Sequence, residues 1–522
     1  MVSCVSLLLG PVLRHVGDTT AQVWIQTGAA GSVSVLGCSA RTFEVAGHHY
    51  ALVPVTGLAP DSVTPYEVHV DGERVWPLPA SPFPASLIRT RGPESAEHTR
   101  MIFGSCRYPK VADPKLAREL GLDALDVYAA RMVARPADEW PDALLLLGDQ
   151  VYADELTPQN RRRIAGRRDR HISGHPDWPD DEIVGFDEYV GLYDDAWRDP
   201  EVRWLMSSVP TAMIFDDHDV RDDWNTSAAW RAEMNATPWW RTRIRSALAS
   251  YWVYQHIGNL SPGELGADPD YRKVTEHGGD TWPLLQEIAD LMIDSRNGRI
   301  LDGDRHLMLG DSEFRWIEEQ AAAPGRVDHL VLGTSVPWLL PHAIGDLETV
   351  NEIAAAEPGR AGRLGEKIRQ AADLEHWSAF RTSFDRLAAM IERAAASGPA
   401  SVSVLSGDVH HSYAARAAIP GGAGPGGAAV HQLTCSPVHN KMDWYVKPGF
   451  RLAWSRGARR FAEWWSLRAG APPKPVTWER LVGPLFGNTI ATLDLDARAA
   501  QVFFEQPVSS AALAERARLQ LS

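Results

Sequence analysis

Asp142 to Asp154 reads DALLLLGDQVYAD. The run of leucines is bounded by polar residues and stops at Gly148, so it predicts a short strand buried on both faces. Five other segments share this texture: MIFGSC (101–106), PTAMIFDDHD (210–219), HLVLGTSVPWLL (329–340), SVSVLSGDVHHS (401–412) and VHQLTCSP (430–437). Each is apolar until it ends in polar residues. Together they predict an α/β fold in which buried strands are covered by helices. Helical periodicity is clear in AFRTSFDRLAAMIERAAA (379–396) and present in WRTRIRSALASYWVYQHIG (240–258). The tryptophan-rich stretch from Trp224 to Trp282 predicts a helical excursion whose rings mostly pack in a core.

Before residue 90 the pattern changes to short alternating runs, such as TAQVWIQT around Trp24, separated by Gly, Asp and Pro turns. This is strand periodicity and predicts an all-β sandwich over residues 1–92. The hairpin GLAPDSVTPYEVHVDG, with Tyr66, resembles a late hairpin of a fibronectin type III module, in which a corner tyrosine bonds to backbone. A Pro-rich stretch, Trp76 to His98, reads as the linker to a second domain over 93–522. Helical insertions are expected at about 226–330 and 345–400, and GGAGPGGAA, from Gly421, reads as a flexible loop.

The formal net charge of −15 over 522 residues excludes a general nucleic-acid surface, which needs a basic face. The arginine cluster RRRIAGRRDR (161–170) reads first as a solvated helix edge, with contact to an anionic substrate as the alternative. Four cysteines (Cys4, Cys38, Cys106, Cys435) form no disulfide or zinc-ribbon pattern, and a reducing, cytoplasmic setting is expected. The N-terminal run reads as neither an export signal nor a membrane anchor. His48 and His49 are expected on the surface of the sandwich.

Chemistry gathers at four strand ends: Cys106 in GSCR, Asp149 and Tyr152 in GDQVYAD, the quartet Asp216 to Asp219, and Asp408, His410 and His411 in GDVHHS. Placing so many polar groups beside core is costly, and a metal centre would remove that cost. Each residue has a plainer reading. A strand-end cysteine is usually a small hydrophobe, Tyr152 could pack a corner, and Asp216 and Asp219 could cap a helix as well as bind metal. Asp154, Asp222 and Asp223 read as supporting residues. Cys4, Cys38 and Cys435 are expected to be inert.

As an ordered set, GSC, GDxxY, DDHD and SGDVH resemble the alkaline phosphatase D group of the calcineurin-like metallophosphatases, over about residues 100–440. The resemblance implies an α/β/β/α metallophosphatase sandwich. It implies hydrolysis of phosphate esters by attack of a metal-bound hydroxide on a small phosphate-ester substrate. Carried over residue by residue, it makes Asp149 the carboxylate bridging two metals, with Cys106, Tyr152 and His410 completing the first. Thiolate and phenolate together suit ferric iron. Asp217 and Asp408 stand where the wider superfamily has Asn and His, and Ser335 where it has a lone His. These replacements, like the group itself, favour calcium as the second ion, with other divalent metals as alternatives. His218 would touch the phosphoryl oxygen or assist the leaving group, and Arg107 would clamp the phosphate. His410 is preferred over His411 because neighbours in an extended chain point to opposite sides. The group has paired asparagines near the positions of Asp222 and Asp223. A phosphodiesterase or phospholipase-like activity at the same site is the nearest alternative. A metal-free binding protein, with an unknown partner for the sandwich, is the alternative from another class.

Overall fold

The alternating segments close into two antiparallel sheets. One runs Leu7–Val16, Thr20–Thr27, His48–Thr56, Phe43–Val45; the other runs Cys38–Arg41, Ser32–Val35, Val68–Val70, Glu73–Trp76. This computed structural model describes residues 6–93, 95, 97–169, 175, 177–291, 296, 298–301, 305–322, 327–419, 428–442 and 444–522. Cys4, Arg170 and most of the glycine-rich stretch from Gly421 lie outside the described residues. Val23, Ile25, Val33, Val53 and Val68 fill the space between the two sheets. Their neighbours Trp24, Tyr50 and Leu52 point the other way and are just as buried, because they pack against Tyr193, Trp197 and Tyr254 of the larger region.

The sandwich is therefore welded to the rest of the chain. Trp24 Nε1 donates to the Val253 carbonyl at 2.9 Å. The buried Arg14 guanidinium donates to the carbonyls of Tyr254 (3.2 Å) and Gln255 (2.6 Å), in the π turn Trp252–His256. The Pro-rich stretch is not a free linker. It contains the strand Leu87–Arg89, paired with Val63–Pro65, and the Pro84 carbonyl accepts from Trp204 Nε1 at 2.9 Å. Tyr66 does bond to backbone, but across to the larger region, at the Ser207 carbonyl (2.6 Å). His48 is not a free surface residue either: its Nε2 lies 2.6 Å from Asp187 Oδ1.

The larger region holds two sheets packed face to face. The six-stranded sheet runs Thr211–Ile214, Ala143–Leu147, His98–Gly104, Ile490–Asp496, Ala499–Ser509, Ala512–Gln520, and its first three strands are parallel. The five-stranded sheet runs His329–Gly333, Ser401–Ser406, Ala429–Thr434, Ser412–Ala418, Thr477–Leu485. Phe103 and Leu493 of one meet Leu405 and Leu433 of the other. Helices cover both outer faces. Ala124–Val133, Phe186–Trp197, Pro200–Ser208 and Trp240–Tyr251 lie over the first sheet, and Arg381–Ala396 over the second. This is the α/β/β/α sandwich, with a β-sandwich before it.

Candidate metal centre

The parallel strands His98–Gly104, Ala143–Leu147 and Thr211–Ile214 end at one edge of their sheet, and Ser401–Ser406 of the second sheet ends beside them. The chain turns sharply there. Cys106 (φ 58°), Asp149 (φ 51°), Asp408 (φ 69°) and His410 (φ 48°) all adopt left-handed backbone conformations that non-glycine residues rarely take. Gathering strained residues at one point is a mark of a functional site. Two glycines permit the approach. At Gly148 (φ 108°) a Cβ would lie 2.7 Å from Asp216 Cβ, and at Gly407 it would overlap Ser105 Oγ.

The ligand atoms of Cys106, Asp149 and His410 lie within 4.8 Å of one another. So do those of Asp149, Asp217 and His218, and those of Asp216, Asp217 and Asp408. Asp149 is common to the first two groups and Asp217 to the last two. Asp149 is buried, and its Oδ1 has no hydrogen-bond partner among the described residues. Burial, with the charges of Asp216 and Asp217 adding to it, drives the Asp149 carboxyl well above the usual range despite His218. Burial likewise raises Asp216 and Asp217, against the opposing charge of Arg296. A cation among these oxygens would reverse that penalty.

Two hydroxyls lie against the Cys106 sulfur. Ser436 Oγ donates to Cys106 Sγ at 3.2 Å, and Ser105 Oγ lies 3.1 Å away. Without a cation, burial and the nearby Asp149 and Asp408 push the thiol well up. Tyr152 is buried beside the same group, its phenol oxygen accepting from Asn440 Nδ2 at 2.9 Å and its ring 4.9 Å from that of His218. His410 is pushed down to about 4 by burial and by His218, which favours the neutral imidazole that metal ligation requires. His411 turns away and packs on Phe450 (4.3 Å) and Tyr413 (5.3 Å). The reason differs from simple strand alternation, because the segment is a turn and His410 is not extended.

Two supporting residues, Arg296 and His376, come from the helical insertions and had no motif to announce them. Arg296, fully buried, places Nε 2.7 Å from Asp216 Oδ1, its Nη2 3.3 Å from Asp217 Oδ1, and its Nη1 against Glu375. His376 Nε2 meets Asp408 Oδ2 at 3.0 Å, while its Nδ1 meets Glu348 Oε1 at 2.7 Å. Burial opposes the Asp408 charge, but the hydrogen bond and charge of His376 hold that carboxyl well below its usual range. Asp154 anchors His218 through Nδ1 at 3.0 Å. Burial works against the charges on this pair, yet each holds the other ionised: Asp154 falls to about 2 and His218 rises well above its usual value. Asp219 serves as a brace, accepting from the backbone of Asp216 (3.0 Å) and Val151 (3.3 Å).

Arg107 is the correction. Although it follows Cys106, its Nε donates to Asp123 Oδ2 at 2.8 Å and its Nη1 to the Ala196 carbonyl, both away from the metal groups. Asp123 caps the helix Ala124–Val133, so Arg107 braces that helix and is not placed to clamp a phosphate. The arginine-rich helix Pro158–Asp169 is also tied down in part. Arg163 pairs with Asp195 (3.7 Å), Arg167 with Asp187 (3.2 Å) and Arg168 with Glu188 (2.8 Å). Ser335 is buried, and its carbonyl accepts from Gly407 N at 2.8 Å, beside the site loop.

Residues 125–458 match the PhoD-like phosphatase family. The chain belongs to that family. Membership makes it a hydrolase of phosphoesters, in a family whose members depend on metals. The match begins after Cys106, which therefore rests on the geometry. Residues 4–88 match a domain of unknown function, DUF7800. Among solved structures, one titled "Structure of PhoD" superposes with a TM-score of 0.59 at 13% identity, covering 99% of this chain and 90% of that one. That likeness carries the fold of the PhoD-like family across the whole chain. An amylomaltase from Corynebacterium glutamicum, at 11% identity over 76% of this chain and 55% of its own, has a TM-score of 0.11 and carries no argument. No curated protein matches in sequence.

Proposed function

We propose that the chain hydrolyses phosphate esters at a two-cation centre in which Asp149 is the shared ligand. Cys106, Tyr152 and His410 would hold the first cation, with ferric iron suited to the thiolate and phenolate pair. Asp217 and Asp408 would hold the second, with calcium suited to the all-oxygen set. The observation that carries the reading is that Asp149, buried and with its Oδ1 unpartnered, belongs both to the group of Cys106 and His410 and to the group of Asp217 and His218. When bound, the cations would activate water and neutralise charge on the phosphoryl oxygens. The chain's own residues would do the rest. His218, held through Nδ1 by Asp154, keeps its Nε2 available to donate a proton to the leaving oxygen. His376 fixes the rotamer of Asp408, and Arg296 that of Asp216 and Asp217. Elemental analysis of the purified protein, with turnover of chromogenic mono- and diesters, tests the reading. Folded protein that binds no metal and turns over no ester would refute it.

A further inference from the structure

The helix Arg456–Arg468 reverses the usual order of a surface helix, in which large apolar side chains face the core. Its inward stripe is small, half-buried Ala458 with buried Ala462 and Ser466, and the helix lies against the helix His342–Ala356 and its Ala343. Its exposed stripe carries Phe461, Trp464 and Trp465, whose rings lie about 6 Å apart (6.0 Å for Phe461 to Trp464, 6.2 Å for Phe461 to Trp465). Just before it, the helix Lys447–Ala453 exposes Leu452, and the turn ahead of that exposes Trp444 and Tyr445. These six side chains are between 42% and 79% exposed. Scattered exposed apolar residues need no explanation, but a run of large ones in one short segment does.

The charge of the segment is equally unlike the chain's. Residues 444–468 hold six basic residues and a single acid, Glu463, in a protein of net charge −15. The cations are interleaved with the rings: Arg468 lies 4.8 Å over Trp464, and Arg451 and Lys447 lie 5.3 and 5.9 Å over Phe486. Rings that lie at headgroup depth, with arginines and lysines reaching phosphates beside them, are the chemistry of an element lying in a membrane interface. We propose that residues 444–468 form a docking surface for a bilayer with anionic headgroups. A symmetric contact with a second copy is disfavoured, since it would bring two net-basic faces together. No described helix is long and apolar enough to cross a membrane, so the contact would be peripheral. The segment begins four residues after Asn440, which touches Tyr152, and Phe450 packs on His411. Docking would therefore bring the bilayer surface to the wall of the metal site.

The test uses the full chain. It is sedimented with vesicles of phosphatidylcholine alone and with vesicles containing an equal part of phosphatidylglycerol, at low and high salt. The expected result is retention on the anionic vesicles, about tenfold weaker on phosphatidylcholine and lost at high salt. Trp464→Ser with Trp465→Ser, and separately Arg460→Glu with Arg468→Glu, should each lower retention at least about tenfold with the thermal midpoint unchanged. No retention of the wild type on anionic vesicles would overturn the proposal, as would equal retention on both kinds. So would a concentration-dependent dimer abolished by the same substitutions, which would assign the face to a second copy.

Discussion

Asp149 stands at the junction of two donor groups with a strained backbone, a buried carboxylate and an oxygen left without a partner. Such a residue costs stability when no cation is present, and replacing it isosterically removes that cost. Asp149→Asn should therefore leave the thermal midpoint of metal-stripped protein equal to or above that of the wild type. Turnover of the metal-loaded variant should fall by at least about 100-fold, the upper loss seen when mere supports of metal ligands are changed. A folded variant with near wild-type turnover would remove Asp149 from the site. Tyr152 would give an optical readout of the proposed first cation. Ferric iron bound by its phenolate would colour the protein after exposure to air, whereas zinc, with a filled d shell, would not. Tyr152→Phe should shift or weaken the visible band, and a strong reductant should bleach it. An active, colourless protein containing zinc and no iron would sink the ferric assignment and leave the two-cation centre standing.

Among the elements, the join between strand His48–Thr56 and helix Phe186–Trp197 is held partly by charge. The hydrogen bond from His48, though opposed by burial, lowers the Asp187 carboxyl below its usual range. A depressed folded pKa means that the pair's contribution is fully present above the unfolded value of about 4 and is lost as pH falls below it. The thermal midpoints of wild type and Asp187→Asn should thus differ at about pH 5, above the unfolded carboxyl value. Below about pH 4 they should converge. A gap that stayed unchanged well below pH 4 would contradict the assignment. The strand ends show the complementary lesson. Their motifs were legible because an apolar run, a glycine and a candidate ligand lie within a few residues of one another, as in Leu147, Gly148 and Asp149. Arg107 misled because adjacency in sequence says nothing of direction; the turn after Cys106 sends it to Asp123.

At the scale of the molecule, the β-sandwich and the larger region share a core through Trp24, Tyr50, Tyr193 and Tyr254. All proposed ligands lie beyond residue 92, yet a chain lacking residues 1–92 would expose the face that these rings cover. It is expected to be insoluble or only marginally folded. Trp24→Ala should destabilise the whole protein by about 3–5 kcal/mol, the range for truncating a buried aromatic side chain. In urea, fluorescence and far-ultraviolet dichroism should follow one coincident transition in both wild type and variant. Two separated transitions in the wild type would show that the regions unfold independently.

The sequence by itself determined the class of fold, the order of the motifs and the residues Cys106, Asp149, Tyr152, Asp217, His218, Asp408 and His410 that the structure brings together. Periodicity and turn chemistry act over a dozen residues or fewer, so they can be read locally. The shape of the donor groups was settled only by tertiary packing. Asn440 reaches Tyr152 across 288 residues, and Arg296 reaches Asp216 across 80, both from segments with no motif. The strands after residue 477 complete both sheets without any chemical signature. Whether the sandwich hangs from a linker or shares a core was likewise a tertiary decision. Alternation in TAQVWIQT shows that two faces differ, but not that both are buried, and what covers Trp24 lies more than two hundred residues away in Val253 and Tyr254.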